Sequence, residues 1–234
     1  MEDLSKPFDE QNYSYFLWKL IAPCQIKIIK NNIIDLGAWI GDNSIPWSKN
    51  IDGVVYAIDP SNENCDFINQ TCEINSITNV KTIQSAISNS NELLTTDEHI
   101  NHCSFVYGNT GLNGKNKVNA VSLDYLYETK TIENIGYIHL DVEGMEYKIL
   151  QGSNKLLDEC RPIISFEQHL ELDDYSIILS YLNNKNYVVF LIDEILPACR
   201  HDCRNSFAFP NELFNEQLIK NIHDHLGKEI LIPK

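Results

Sequence analysis

The chain has 234 residues and an apolar content of 43%, enough for one well-filled α/β domain and too little for two. Acidic residues number 33 against 18 basic ones, a formal charge of −15, which argues against nucleic-acid and anionic-membrane partners, since both depend on Lys and Arg. No run of about 18 apolar residues exists, so no transmembrane helix is expected, and the acidic opening argues against a signal peptide.

Residues 9–29 carry Tyr13, Phe16, Leu17, Leu20 and Ile21 at helical spacing, which predicts an amphipathic helix in an N-terminal extension over residues 1–30. Strand-like apolar bursts follow at Ile33–Leu36, Val54–Ile58, Val80–Ile87, Tyr137–Val142, Ile163–Phe166, Tyr187–Ile192 and Ser206–Phe209. Helix-like segments near 43–50, 62–75, 145–158 and 173–184 separate most of the first five. Strands alternating with helices predict a largely parallel sheet covered on both faces. The segment between Ile192 and Ser206 contains Pro197 and is too short for a helical crossover, so the last two strands should form an antiparallel hairpin. Asn211–Leu226 reads as a surface helix. The whole is expected to be a single domain over residues 1–234, with a core at 31–210 and a C-terminal helix and tail at 211–234.

The seven cysteines, Cys24, Cys65, Cys72, Cys103, Cys160, Cys199 and Cys203, are odd in number and scattered, which suits free thiols in a reducing cytoplasm. Cys199, His201 and Cys203 lie close together, but no second ligand pair with zinc spacing accompanies them.

The first strand ends in Asp35-Leu36-Gly37-Ala38-Trp39-Ile40-Gly41. Glycines at a strand mouth let a ligand approach the backbone, yet G-x-x-x-G is not the dinucleotide fingerprint. The loop alone is also compatible with a tight turn that holds no ligand. Asp59, about 20 residues on at the end of the second strand, lies where a carboxylate can accept both hydroxyls of an adenosine ribose. It can equally cap the helix that begins near Ser61. Ser85 and Ala86 would wall an adenine. Asp141, Glu143 and Glu146 crowd the end of the fourth strand, and Glu167, Gln168 and His169 end the fifth. Ligands of open α/β sheets bind at that edge, near the topological switch.

These stretches resemble the FkbM-type methyltransferases: IIDLGAWIGDNS, VVYAIDPSNEN, AVSLDYL, IGYIHLDVEGMEYKILQGSNKLL, RPIISFEQH and CRNSFAFP, in order over about residues 31–210. The resemblance implies a class I, Rossmann-like methyltransferase fold: a seven-stranded, mostly parallel sheet with a C-terminal antiparallel hairpin and helices on both faces. It implies S-adenosylmethionine as cofactor and O-methylation, often of sugars or natural-product hydroxyls. Asp35, Gly37, Gly41, Asp59, Ser85 and Ala86 would then bind the cofactor. Trp39 departs from the small polar residue usual in the family, and Asp59 from the common Glu.

Proton removal from an alcohol acceptor needs a base, and His169 is a candidate. Alternatively Asp141 and Glu167 share a Mg²⁺ or Mn²⁺ that orients the acceptor and lowers its pKa. Glu143 is expected to hold the acceptor or the local turn. The acceptor expected is a glycan or small hydroxylated metabolite. Competing readings are a catalytically inactive methyltransferase-fold binding subunit, a nicotinamide oxidoreductase, disfavoured by the missing fingerprint, and an RNA cap 2′-O-methyltransferase, disfavoured by the acidity.

Overall fold

Near-continuous apolar runs require a sheet that is buried on both faces, and the chain builds one. In the computed structural model the described residues are 31–96, 116–142, 144–169, 175–192, 203–217, 219–220 and 231–234. The expected N-terminal helix, Glu143, and residues 218 and 221–226 of the expected tail helix lie outside them.

The strands are β1 (Asn32–Leu36), β2 (Val55–Asp59), β3 (Val80–Gln84), β4 (Ala86–Ile87), β5 (Glu92–Thr96), β6 (Asn116–Val121), β7 (Ile135–Leu140), β8 (Ile163–His169), β9 (Tyr187–Ile192), β10 (Cys203–Pro210) and β11 (Leu231–Pro233). The helices are α1 (Ser44–Ser48), α2 (Asn62–Ile74), α3 (Leu123–Glu128), α4 (Glu146–Gln151), α5 (Asn154–Cys160) and α6 (Tyr175–Asn184). The main sheet runs β11-β9-β10-β8-β7-β1-β2-β3 among the described residues. β3, β2, β1, β7 and β8 are parallel. β10 is antiparallel to both β8 and β9, which gives the expected hairpin. The seven anticipated strands are all present, and β11 adds an edge strand to β9.

Pleat alternation sends side chains to two layers. Ile34, Leu36, Ile138, Leu140, Ile164 and Phe166 pack with Leu123, Ile149, Leu157 and Leu182 from α3, α4, α5 and α6. Ile33, Val55, Tyr137, Ile163 and Phe207 face the other way, against Trp47 of α1. Ala57 packs there with Ile68 and Cys72 of α2. α2 is capped by Ser61, whose side chain accepts from the Asn64 N–H.

Two departures from the expected elements have local causes. The third strand breaks at Ser85, whose hydroxyl donates to the carbonyls of Ala86 (2.8 Å) and Asn119 (3.3 Å). The chain there leaves the main sheet for a small one of order β4-β6-β5. The helix expected over 145–158 is two helices, broken at Gly152, where an added Cβ would sit 2.4 Å from the Ser88 carbonyl oxygen. Asp124 of α3 then caps α5 by accepting from the N–H groups of Lys155 (3.1 Å) and Leu156 (2.9 Å).

Candidate functional site

The carboxyl ends of β1, β2 and β7 meet at the Gly37–Gly41 loop. Both glycines have left-handed backbone, φ +76° and +79°. The N–H groups of Gly37 and Ala38 donate to the Ile58 carbonyl (3.0 and 3.2 Å), and the Asp141 N–H donates to the Leu36 carbonyl (3.1 Å). A Cβ on Gly37 would lie 1.9 Å from the Asp141 carbonyl oxygen. Glycine is therefore demanded here by the closeness of β7 as well as by φ.

Asp59 ends β2 and is 5% exposed. Its Oδ2 accepts from the Trp39 N–H (3.0 Å), and its Oδ1 accepts from the Ser61 N–H (2.8 Å) and the Asn64 side-chain amide (3.0 Å). A carboxylate offers about four lone-pair sites, so one remains, on Oδ2. Asp59 thus holds the start of α2 and also the Trp39 N–H of the loop. Burial raises the Asp59 pKa, against the lowering effect of the donors. Burial and the neighbouring Asp59 and Asp66 push the Cys65 thiol up to about 11.

Asp35 does not stand at the mouth. It is fully buried on the α1 side of β1, a correction to the direct cofactor contact expected from its place in the motif. The pleat turns it beneath the loop, where the Ser44 hydroxyl donates to Oδ2 (2.5 Å) and His139 Nδ1 lies 3.0 Å from Oδ1. Trp47 meets the rings of His139 and Tyr137 edge-on, with centroids 5.4 and 5.7 Å apart. Tyr137 in turn donates to Ser165 (2.8 Å). Ser44, His139 and Trp47 escaped the sequence reading. The available signal was a histidine in an otherwise apolar strand, but only the β1–β7 register, which pairs Asp35 with His139, gives it a partner.

Ser85 and Ala86 lie beside Asp59, the Ser85 N–H donating to the Asp59 carbonyl (3.2 Å). Both are buried, and the Ser85 hydroxyl is committed to the small sheet.

Asp141 follows β7 directly and is half-buried. Glu167, also half-buried, pairs across the sheet with Asn205 and takes a hydrogen bond from the Cys203 thiol. Alternation places Glu167 on the same face as Ser165 and, across β7, His139. Among the described residues no group of three or more His, Cys, Asp or Glu side chains is arranged to hold a metal ion, so the shared-cation expectation for Asp141 and Glu167 gains no support. His169 is the last residue of β8, opposite Cys203; its side chain, like Glu143, Cys199 and His201, lies outside the described residues.

No helix of the described residues is long and apolar enough to cross a membrane. A sequence model of the methyltransferase FkbM domain matches residues 35–189, and the chain belongs to that family. Membership makes it a methyltransferase and implies S-adenosylmethionine as methyl donor. Among solved structures, a methyltransferase FkbM from Methylobacillus flagellatus KT aligns with a TM-score of 0.56 and 15% identity, covering 76% of this chain and 43% of that one. The present chain thus spans less than half the length of that protein. A SAM dependent methyltransferase from Aquifex aeolicus aligns with a TM-score of 0.49 and 13% identity, covering 86% and 93% of the two chains. The Precorrin-6y C5,15-methyltransferase from Geobacter metallireducens GS-15 gives 0.48 and 13%, covering 81% and 86%. A comparison with curated proteins found no match.

Proposed function

We propose that this methyltransferase transfers its methyl group to a hydroxyl oxygen of a glycan or small hydroxylated metabolite in the cytoplasm. The observation that carries the reading is the junction of Gly37, Asp59 and Asp141 at one sheet edge. The loop N–H of Trp39 bonds to Asp59, and the Asp141 backbone lies against Gly37.

The residues fit the cofactor by donor chemistry. Asp59 retains acceptor capacity on Oδ2 for a ribose hydroxyl, and the Trp39 N–H ties the Gly37–Gly41 loop to that same carboxylate. When bound, the sulfonium supplies an already activated methyl, so the protein's work is alignment and proton removal. Asp59 orients the nucleoside. Asp141, at the end of the central strand, is the proposed group for positioning the acceptor hydroxyl, with Glu143 beside it in sequence. Glu167 or His169 is the proposed proton acceptor at the end of the neighbouring strand. A divalent ion is not needed by this scheme. The net charge of −15 supports an acceptor other than nucleic acid or a membrane surface.

Calorimetric titration with S-adenosylmethionine tests cofactor binding. Asp59→Ala should weaken it by about 1.5–3 kcal/mol, the range for a hydrogen bond to a charged group. A mass-spectrometric screen with labelled cofactor over hydroxylated glycans and metabolites, with amine acceptors alongside, tests the acceptor class. Label appearing only on amines would overturn O-methylation, and unchanged affinity in Asp59→Ala would remove Asp59 from the site.

A further inference from the structure

We propose that Trp39 is a cofactor-binding residue whose indole packs against the nucleoside end of the bound cofactor. The inference rests on the methyltransferase reading above. Three observations converge on it. Trp39 has φ +44°, a left-handed backbone that a bulky residue rarely adopts and that glycine would occupy without strain. Trp39 is 41% exposed, whereas Trp47 is 4% exposed in the core. A large part of the Trp39 surface is thus left to solvent although its backbone is held in a left-handed conformation. Finally, its N–H donates to Asp59 Oδ2 (3.0 Å), the carboxylate oxygen with fewer hydrogen bonds.

A hydroxyl donating to Asp59 Oδ2 would share an oxygen with the Trp39 N–H, which puts it next to the residue that carries the indole. An aromatic face next to a carboxylate with one free acceptor position suits a ring system that carries a hydroxyl, which is the chemistry of a nucleoside. Exposed strain beside a ligand-binding carboxylate is the pattern expected where a side chain is held ready for a ligand.

The test is calorimetry of the wild type and of Trp39→Phe, Trp39→Ala and Trp39→Gly against S-adenosylhomocysteine and 5′-methylthioadenosine, with thermal unfolding of each. Trp39→Ala and Trp39→Gly should bind both ligands about tenfold more weakly, as expected from loss of one stacking platform, and Trp39→Phe should stay within about twofold of wild type. Trp39→Gly should unfold at a higher temperature than Trp39→Ala, because glycine relaxes the left-handed backbone; equal or reversed order would remove the strain argument. Wild-type protein that binds neither ligand sinks the methyltransferase reading itself. Wild-type binding with every variant unimpaired sinks only the role of Trp39. Affinity lost for S-adenosylhomocysteine but kept for 5′-methylthioadenosine would move the contact to the amino-acid end and overturn the nucleoside assignment.

Discussion

Replacing Gly37 by Ala tests whether the β1–β7 junction is as tight as its geometry implies. The left-handed backbone costs an L-residue roughly 1–2 kcal/mol. The added methyl would also lie 1.9 Å from the Asp141 carbonyl oxygen and 3.1 Å from its carbon. Those are backbone atoms of a buried strand end, held by the Asp141 N–H on Leu36, so relief requires β7 to move. Forcing a methyl into a packed interior costs about 1–3 kcal/mol, and together the two effects predict a loss of about 2–5 kcal/mol. Gly41 provides the internal control. Its φ is similar, but its added Cβ meets only side-chain atoms, Ile45 Cδ1 at 3.0 Å and Ile68 Cγ1 at 3.1 Å. Side chains can give by a few tenths of an ångström where backbone cannot, so Gly41→Ala should cost the backbone term of roughly 1–2 kcal/mol and less of the packing term than Gly37→Ala. Urea unfolding of both variants, read by far-UV circular dichroism, measures the difference. Gly37→Ala proving no more destabilising than Gly41→Ala would refute the junction as drawn.

Beyond the Asp59 and Trp39 experiments, two further outcomes are expected. The Cys65 thiol, buried and raised to about 11, should stay unlabelled by iodoacetamide in native protein at pH 8 and react fully in denaturant; peptide mapping that finds it alkylated in the native state would contradict the burial. Arg161, itself at φ +50°, holds Glu212 through two bonds (2.6 and 3.1 Å), donates to the carbonyls of Lys185 (2.9 Å) and Asn186 (3.1 Å), and covers the Tyr187 ring at 4.6 Å. Arg161 lowers the Glu212 pKa, so the stability that Glu212 adds is present above about pH 4.5 and lost as pH falls through its lowered folded value. Denaturation midpoints of wild type and Glu212→Gln should accordingly converge on acidification, and a gap that widens would reverse the assignment.

Much of the fold was legible because central strands such as Ile135–Leu140 are buried at every position, and an unbroken apolar run needs no tertiary information to be read. The elements that escaped were those without such a pattern. β6, Asn116–Val121, opens on Asn116 and Lys117 and carries Asn119, which breaks up its apolar positions. α3 spans only Leu123–Glu128, too short for a helical period to emerge, although its cap Ser122 was in view. The split at Gly152 depends on the Ser88 backbone passing it, a contact that no local sequence pattern records. The site divides along the same line. Asp59 could be placed from strand order alone, since any residue ending β2 faces the ligand edge. Asp35 could not, because which face of a strand a residue occupies is fixed by the layer packed against it, and its partner His139 lies 104 residues away.

That misplacement has a physical consequence for catalysis. A carboxylate removed from water must be hydrogen-bonded or it destabilises the fold, and Asp35 meets this demand with groups from two other elements, α1 and β7. The loop above it is thereby fixed from three directions. Asp35 holds α1 to β1 below, Asp59 holds the Trp39 N–H at the side, and the Asp141 backbone closes on Gly37 from β7. A loop fixed this way loses little conformational freedom when a ligand arrives, so binding energy need not be spent on ordering it. In-line methyl transfer depends on alignment of three atoms, and a preorganised loop supplies that alignment before the acceptor binds. Under the proposed function the buried Asp35–His139 pair acts by holding the loop in place rather than by touching the cofactor.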